Sequence, residues 1–331
     1  MIKRRDFITF FGGAAAAWPL AARAEQPKMP VIGLLNGVSF EAYAKRIDAF
    51  RQGLREVEFI ESRNVAIEYR SADGHPDRLA ALAADLVRRQ VGVIVAIGAE
   101  VSPRAAKAAT ASIPIVFATG GDALVNGLVA NLSRPTENVT GITFLNSSLE
   151  PKRLQLLCEV VRQGPNLAFL NRFKEGDPKE NEIRLADLKV AARSLGRELV
   201  AFDVDTEQDI DSAFAAMVQQ RIAALVVSGS AFLNSRRDQV IALAAHHTIP
   251  TMYSNREYVP AGGLMSYGVE LYALYRQAGV YAGRILKGAQ VADLPVLQPT
   301  KFELVINLKT VKTLGLEIPP GVLAIADEVI E

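Results

Sequence analysis

Short apolar runs rich in valine and isoleucine alternate with amphipathic stretches along nearly the whole chain, and this alternation limits the possible folds. Residues 30–35 and 91–97 are continuous apolar runs, as expected for strands that are buried on both faces of a sheet. Residues 41–57 and 76–89 carry apolar side chains at helical spacing. This strand–helix–strand order requires a parallel sheet with right-handed crossovers. The sequence therefore predicts an α/β protein.

The second half of the chain repeats the pattern of the first half. Residues 91–97 form a buried strand followed by Ile113-Pro114, and residues 225–227 form one followed by Ile249-Pro250. We therefore predict two similar lobes, each a parallel sheet flanked by helices. Further strands of the second lobe are expected at 167–169, 199–204 and 250–253, with helices at 178–195, 208–220 and 235–246.

Two segments, residues 138–144 and 262–269, are interpreted as crossings between the lobes, which predicts a multi-strand hinge at the floor of a cleft. The predicted divisions are an export signal at 1–24, lobe 1 at 29–143, lobe 2 at 144–265, a return to lobe 1 at 266–298, and a C-terminal segment at 299–331 belonging to the hinge and lobe 2.

The first 24 residues have the pattern of an export signal. A basic head with Arg4 and Arg5 precedes a mildly apolar stretch, and Ala22-Arg23-Ala24 ends it with the small-x-small pattern of a cleavage site. The apolar stretch is shorter than the roughly 20 residues needed to span a membrane. It resembles a twin-arginine (Tat) signal, with an ordinary Sec signal as the alternative. Either signal predicts a periplasmic protein, cleaved after Ala24.

Composition and motifs argue against several function classes. Residues 1–24 hold four of the 37 Lys+Arg and one of the 36 Asp+Glu, which leaves 33 basic and 35 acidic residues and no basic face for nucleic acid. Cys158 is the sole cysteine, so no internal disulfide is possible. The sequence has three histidines and no Gly-x-Ser-x-Gly, His-Glu-x-x-His or Walker motif. We expect a monomeric binding protein, with no catalytic residues, metal or cofactor.

Candidate ligand-binding residues follow from the predicted topology. Ligands of open parallel sheets bind at the carboxyl ends of the strands, and in a two-lobed protein those ends face each other across the cleft. The loops there are rich in small hydroxyl and amide groups, with Phe and Tyr to stack on a ring. The candidates are Asn36, Ser39, Gly98, Ala99, Glu100, Thr119, Gly120, Thr143, Phe144, Asn171, Arg172, Ser228, Ser230, Phe232, Tyr253, Arg256 and Tyr267.

Several segments resemble those of a known family, the substrate-binding proteins of ABC transporters, in the group related to tryptophan and tyrosine importers. The segments that carry the resemblance are the signal and residues 113–122, 138–141, 232–237, 261–268, 301–310 and 318–320. The resemblance implies the type I periplasmic-binding fold, and delivery of a small solute to an ABC permease in the inner membrane.

The resulting prediction is a periplasmic protein that captures an amino acid or aromatic acid by lobe closure. Two alternatives stay open at this point. One is a ligand-binding sensor that presents itself to a membrane receptor, and the other is an exported α/β enzyme.

Overall fold

The computed structural model describes residues 29–175 and 178–331. The predicted export signal and its cleavage site after Ala24 lie outside the described residues. Among the residues described, no helix is both long enough and apolar enough to cross a membrane.

The first lobe is built on a parallel sheet. Its elements in chain order are β1 (Val31–Asn36), α1 (Ala44–Glu56), β2 (Ala66–Ser71), α2 (Leu79–Arg88), β3 (Val93–Ile97), α3 (Val101–Ala109), β4 (Ile115–Thr119) and β5 (Val139–Thr143). The strand order is β2-β1-β3-β4-β5, with every pair parallel. The inner strands are buried on both faces and are continuously apolar. The edge strand β2 instead alternates, with Ile67 and Tyr69 against the core and Arg70 paired with Asp85.

The second lobe repeats this plan with a larger sheet. Its elements are α4 (Glu150–Val160), β6 (Asn166–Asn171), α5 (Pro178–Ser194), β7 (Glu198–Asp203), α6 (Glu207–Gln219), β8 (Ala224–Val227), α7 (Ala231–Ser235), α8 (Arg237–His246), β9 (Thr251–Tyr253) and β10 (Met265–Val269). The chain then forms α9 (Leu271–Leu286), β11 (Phe302–Asn307), α10 (Leu308–Thr313), α11 (Pro320–Ala324) and β12 (Glu328–Ile330).

The second sheet has the order β12-β11-β10-β9-β8-β6-β7. It departs from a purely parallel sheet at one pair, because β11 runs antiparallel to β10. The reason is the path of the chain: β10 leaves the second lobe toward the first, and β11 returns from the first lobe beside it. β10 lies wholly within the second sheet, so the chain returns to lobe 1 after Val269, later than the boundary expected at 265/266.

Helix α9 belongs to lobe 1, where it packs on α1. The two backbones approach closely because a glycine of each helix faces the other. A Cβ on Gly53 would lie 1.8 Å from the carbonyl oxygen of Arg276, and one on Gly279 would lie 2.1 Å from that of Phe50. After α9 the chain passes beside β5, where the Thr143 amide donates to the Leu297 carbonyl at 3.0 Å. The predicted α/β fold of two sheet-based lobes is confirmed.

Candidate functional site

A cavity of about 40 Å³ lies between the lobes. It is bounded by the loops that follow β3 and β4, by the crossing after β5, and by the loops that follow β8 and β9. Helices α1 and α9 contribute the rest of its wall. Its lining residues are Tyr43, Arg46, Gly98, Ala99, Glu100, Ala118, Thr119, Gly120, Phe144, Asn146, Gly229, Ser230, Ala231, Asn234, Asn255, Leu271 and Tyr275.

One wall of the cavity is aromatic. The ring of Tyr275 lies 5.6 Å from that of Phe144 and 6.3 Å from that of Tyr43, the latter edge-on. All three side chains are at least nine-tenths buried. Burial raises the pKa of Tyr275 well above its usual value, so its hydroxyl stays neutral. This wall can pack against a planar, apolar part of a ligand.

Arg46 and Glu257 form an ion pair across the cleft. The Arg46 guanidinium lies over the Tyr43 ring, 4.3 Å from its centroid, and donates to Glu257 Oε2 at 2.9 Å. Tyr272 at the start of α9 donates to Glu257 Oε1 at 2.7 Å. Burial alone would raise the pKa of Glu257, but Arg46 and Tyr272 outweigh it and lower that pKa. A carboxylate of lobe 2 is therefore held by two donors of lobe 1.

The rest of the lining includes polar side chains and a carboxylate from lobe 1, Glu100, at the start of α3. From lobe 2, Ser230 caps the short helix α7 by accepting from the Leu233 amide at 3.3 Å. Asn255 donates to Asn234 at 2.7 Å. The lining thus combines an aromatic wall with hydrogen-bonding groups and one acidic side chain, residue types that suit a small amphiphilic molecule. At about 40 Å³ the cavity admits such a molecule only when the lobes move apart.

Two glycines shape the approach of the lobes. Gly98 has φ +79°, and a Cβ there would lie 1.7 Å from Asn36 Oδ1, so only glycine fits at this turn. Gly229 of lobe 2 faces the side-chain amide of Asn146, and a Cβ at this position would lie 2.6 Å from Asn146 Nδ2. Because Gly229 has no side chain, Asn146 in the segment after β5 packs directly against the loop that follows β8.

Arg153 of α4 binds two crossing segments together. Its Nε donates to the Tyr267 carbonyl at 2.7 Å and its Nη1 to the Asn146 carbonyl at 2.9 Å. The side chain is fully buried, and burial lowers its pKa to about 10. The guanidinium fixes the hinge and does not line the cavity.

The structure brings a subset of the sequence-predicted residues to this cavity. Those lining it are Gly98, Ala99, Glu100, Thr119, Gly120, Phe144 and Ser230. Asn171 and Arg172 lie beside it, in a smaller adjoining cavity that also includes Glu100 and Ser230.

The other candidates line neither cavity and make contacts within the fold. Asn36 packs under Gly98, and Ser39 accepts from the Ala42 amide. Thr143 donates to the Gly121 carbonyl, and Ser228 accepts from the Ser230 amide. The four larger side chains pack or pair elsewhere: Phe232 against Arg172, Tyr253 stacked on Tyr258, Arg256 paired with Glu303 and Glu328, and Tyr267 beside Phe302.

Sequence reasoning missed the lining residues from the beginning of α1 and α9, and it also missed several loop residues. Tyr43 and Arg46 come from the start of α1, and Leu271 and Tyr275 from the first turns of α9. A signal was present for Arg46, since it lies three and four residues before Ala49 and Phe50 on the apolar face of its helix. Asn146 and Asn255 follow strands and Asn234 lies in the short helix α7, and the sequence did not distinguish them from their neighbours.

Comparison with known proteins identifies the class of this two-lobed binding fold. The sequence profile of the family described as ABC transporter substrate binding protein matches residues 31–330. The chain belongs to this family, which confirms the resemblance seen in the sequence. Its members bind substrates and are not enzymes, so the expectation of a non-enzymatic protein is confirmed as well.

Individual relatives share about a quarter of their residues with this chain. A tyrosine-binding protein from Clostridioides difficile is 25% identical over 295 residues, covering 89% of this chain and 84% of that protein. The ABC domain from Streptococcus pneumoniae in complex with L-Trp is 25% identical, with a TM-score of 0.81 over 91% of this chain and 99% of that one. The ligand-free, open structure of a substrate-binding protein with adhesive properties from Clostridium difficile shares the fold, at 24% identity and a TM-score of 0.64 over 91% and 99% of the two chains.

Proposed function

We propose that this protein is the periplasmic component of an ABC importer that captures an aromatic amino acid or a related aromatic acid and delivers it to an inner-membrane permease. One observation carries the ligand class: the lining of the cavity between the lobes combines an aromatic wall with polar side chains and a carboxylate. An aromatic amino acid has the same division between a ring and a charged end.

The relatives support this ligand class. One is a tyrosine-binding protein and another was solved in complex with L-Trp, each 25% identical to this chain. The TM-score is also higher against the L-Trp complex (0.81) than against the ligand-free, open structure (0.64). The protein therefore superposes better on the structure that holds L-Trp.

Capture by closure follows from where the wall residues originate. Lobe 1 supplies the aromatic side chains and Glu100, while lobe 2 supplies Ser230, Asn234 and Asn255. A ligand that contacts both sets binds the closed form more tightly than the open form. It shifts the equilibrium toward closure by that difference in binding free energy. The closed surface of both lobes is then what the permease recognises.

Thermal melting against a panel of amino acids, aromatic acids and sugars tests the ligand class. A ligand at 100 times its dissociation constant adds about 2.7 kcal/mol of stability, which for a chain of this size raises the midpoint by roughly 5–10 °C. We expect L-tyrosine or L-tryptophan to produce such a shift and sugars to produce none. A shift with sugars alone would overturn the proposed ligand class.

Export is a separate part of the proposal and is based on the first 24 residues. A reporter fused behind them should appear in the periplasm. Substitution of Arg4→Lys together with Arg5→Lys should abolish that export if the route is Tat. Unchanged export of the double variant would assign the signal to the Sec route.

A further inference from the structure

A second, smaller cavity adjoins the polar end of the cleft. It has a volume of about 20 Å³ and shares Glu100, Asn146, Gly229 and Ser230 with the main cavity. Its remaining wall comes from Ser147 before α4, from the end of β6 and from the first two turns of α5. We call this smaller cavity the side chamber. The shared residues include the carboxylate and polar side chains of the main cavity, so a ligand whose ring packs on the aromatic wall can place its polar end at the entrance to the side chamber.

Asn171, the last residue of β6, lines the side chamber and is only 3% exposed. Its side-chain Nδ2 has no hydrogen-bond partner among the residues that the structure describes. An amide donor that is buried without a partner is costly to the folded state, so such a group is rare unless a ligand or another function requires it. The donor is therefore available to an acceptor that enters the chamber.

The neighbouring donors of the side chamber are already engaged. Asn181 donates its Nδ2 to the Phe173 carbonyl at 2.8 Å. Arg184 binds the fully buried Glu150 through two hydrogen bonds, one of 2.7 Å from its Nε. These contacts hold a cation and an amide at fixed positions in the wall. The chamber thus holds an ion-paired guanidinium and an amide at fixed positions around the Asn171 donor.

Arg172 adds a second cation and a link between the lobes. Its Nε pairs with Asp205 at 3.3 Å, its guanidinium lies 4.8 Å from the Phe232 ring centroid, and its Nη1 donates to the Gly74 carbonyl of lobe 1 at 3.3 Å. Because Arg172 contacts Gly74 of lobe 1, its position in the chamber wall depends on the lobes being close together. Binding of a group in the chamber is therefore coupled to lobe closure.

We propose that the side chamber is the subsite for the carboxylate of the ligand, with Asn171 Nδ2 as its donor. This inference rests on the proposed function, because it assumes that an aromatic amino acid occupies the main cavity. Glu100, at the junction of the two cavities, lies where the ammonium group of the same molecule would be. An α-amino acid thus spans both cavities, with its ring on the aromatic wall and its carboxylate beside Asn171, Arg172 and Arg184.

The test compares matched ligands on the full protein by calorimetry. L-Tyrosine and L-tryptophan carry the carboxylate, while tyramine and tryptamine have the same rings and ammonium groups without it. We expect the unsubstituted protein to bind at least one of the two acids at least about tenfold more tightly than its amine. Asn171→Asp, which replaces the donor by an acceptor of the same shape, should weaken that acid about 10- to 100-fold and leave the amine within about threefold.

A second variant separates ligand recognition from a role in folding. Asn171→Leu removes the buried donor and keeps a similar volume, so its melting midpoint without ligand should equal or exceed that of the unsubstituted protein. The shift caused by the acid should nevertheless be lost. A lower midpoint with an intact ligand shift would make Asn171 a structural residue and overturn the proposal.

The possible failures are distinguishable. If the unsubstituted protein binds the acids and both Asn171 variants bind them equally well, the carboxylate subsite is wrong and the proposed function stands. The same conclusion follows if the variants weaken acid and amine alike. If no aromatic acid or amino acid binds the unsubstituted protein, the ligand class and the carboxylate subsite are both overturned.

Discussion

Arg153 is a single side chain that holds together two of the segments that connect the lobes. It is fully buried, with a pKa lowered by burial to about 10, and it donates to carbonyls of two different crossing segments. Hydrogen bonds that involve a charged group contribute about 1.5–3 kcal/mol each, and a buried carbonyl that loses its donor adds a further cost. The guanidinium therefore stabilises the point about which the lobes are joined.

The variant Arg153→Met should lower the free energy of unfolding by about 2 kcal/mol or more, because it leaves the Asn146 and Tyr267 carbonyls without this donor. Urea unfolding measures the change. Arg162→Met, at an exposed position just after the same helix, serves as the control and should change stability by less than about 0.5 kcal/mol. Equal effects of the two substitutions would contradict the hinge role.

Phe144 is the residue of the aromatic wall that sequence reasoning identified, and its ring can be removed without a large loss of volume. We expect Phe144→Leu to weaken binding of L-tryptophan about 2- to 10-fold, since aromatic pairs contribute about 0.5–1.5 kcal/mol beyond their buried area. Titration calorimetry measures the affinity. Phe302→Leu, whose ring packs on Tyr267 outside the cavity, should leave it unchanged. A loss that is the same for both variants would argue against a ligand ring on this wall.

The packing of α1 on α9 is decided by backbone contact and not by large side chains. Gly53 and Gly279 face the carbonyls of Arg276 and Phe50 at distances that leave no room for a methyl group. Helix α9 forms part of the cavity wall through Leu271 and Tyr275, so this contact also positions the aromatic side chain. A substitution at the contact between α1 and α9 can therefore move Leu271 and Tyr275 in the cavity wall.

Gly53→Ala should destabilise the protein by about 1–3 kcal/mol or more, because a Cβ 1.8 Å from the Arg276 carbonyl forces the two helices apart. The shift in the thermal midpoint is the measurement. Gly321→Ala introduces the same methyl group in α11, where nothing lies within 4 Å, and should be close to neutral. A Gly53→Ala protein that melts like Gly321→Ala would show that the helices separate at little cost.

Strand and helix positions followed from the sequence wherever the local pattern was strong. The buried strands β1 and β3 are continuous apolar runs, and α5 and α6 lie where helical spacing predicted them. The antiparallel direction of β11 had no such signal, because a strand's direction depends on where the chain enters the sheet and not on its own residues. The wall residues of α1 and α9 were missed for a related reason, since a helix reaches the cleft only through its packing.

The ion pair between Arg46 and Glu257, with the Tyr272 hydroxyl, joins the lobes at a nearly buried position. The pKa of Glu257 in this arrangement is lower than its ordinary value of 4.5. A carboxyl whose pKa is lowered stabilises the joined state fully at pH values above the ordinary one. That contribution is lost as the pH falls through the lowered pKa, where the carboxyl becomes protonated.

We therefore expect the affinity for ligand to fall, and the radius of gyration of the ligand-bound protein to rise, as the pH is lowered below about 4.5. Glu257→Gln should show a larger radius already at pH 7 and a weaker dependence on acid. Small-angle scattering and calorimetry across pH 3.5–7 provide both readouts. Glu56→Gln, which breaks an ion pair inside lobe 1, is the control and should behave like the unsubstituted protein. Identical acid profiles for Glu257→Gln and the unsubstituted protein would contradict the role of this pair.

The sequence by itself determined the class of fold, because alternating apolar runs and amphipathic helices can bury their surfaces only as sheets covered by helices. It also determined the family, through segments such as residues 301–310, and a set of seventeen candidate residues. Only the tertiary structure decided which of seventeen candidates meet there, and which helical residues join them. The physical reason is that a binding site depends on the distances between two lobes, whereas periodicity records only which face of each element is buried.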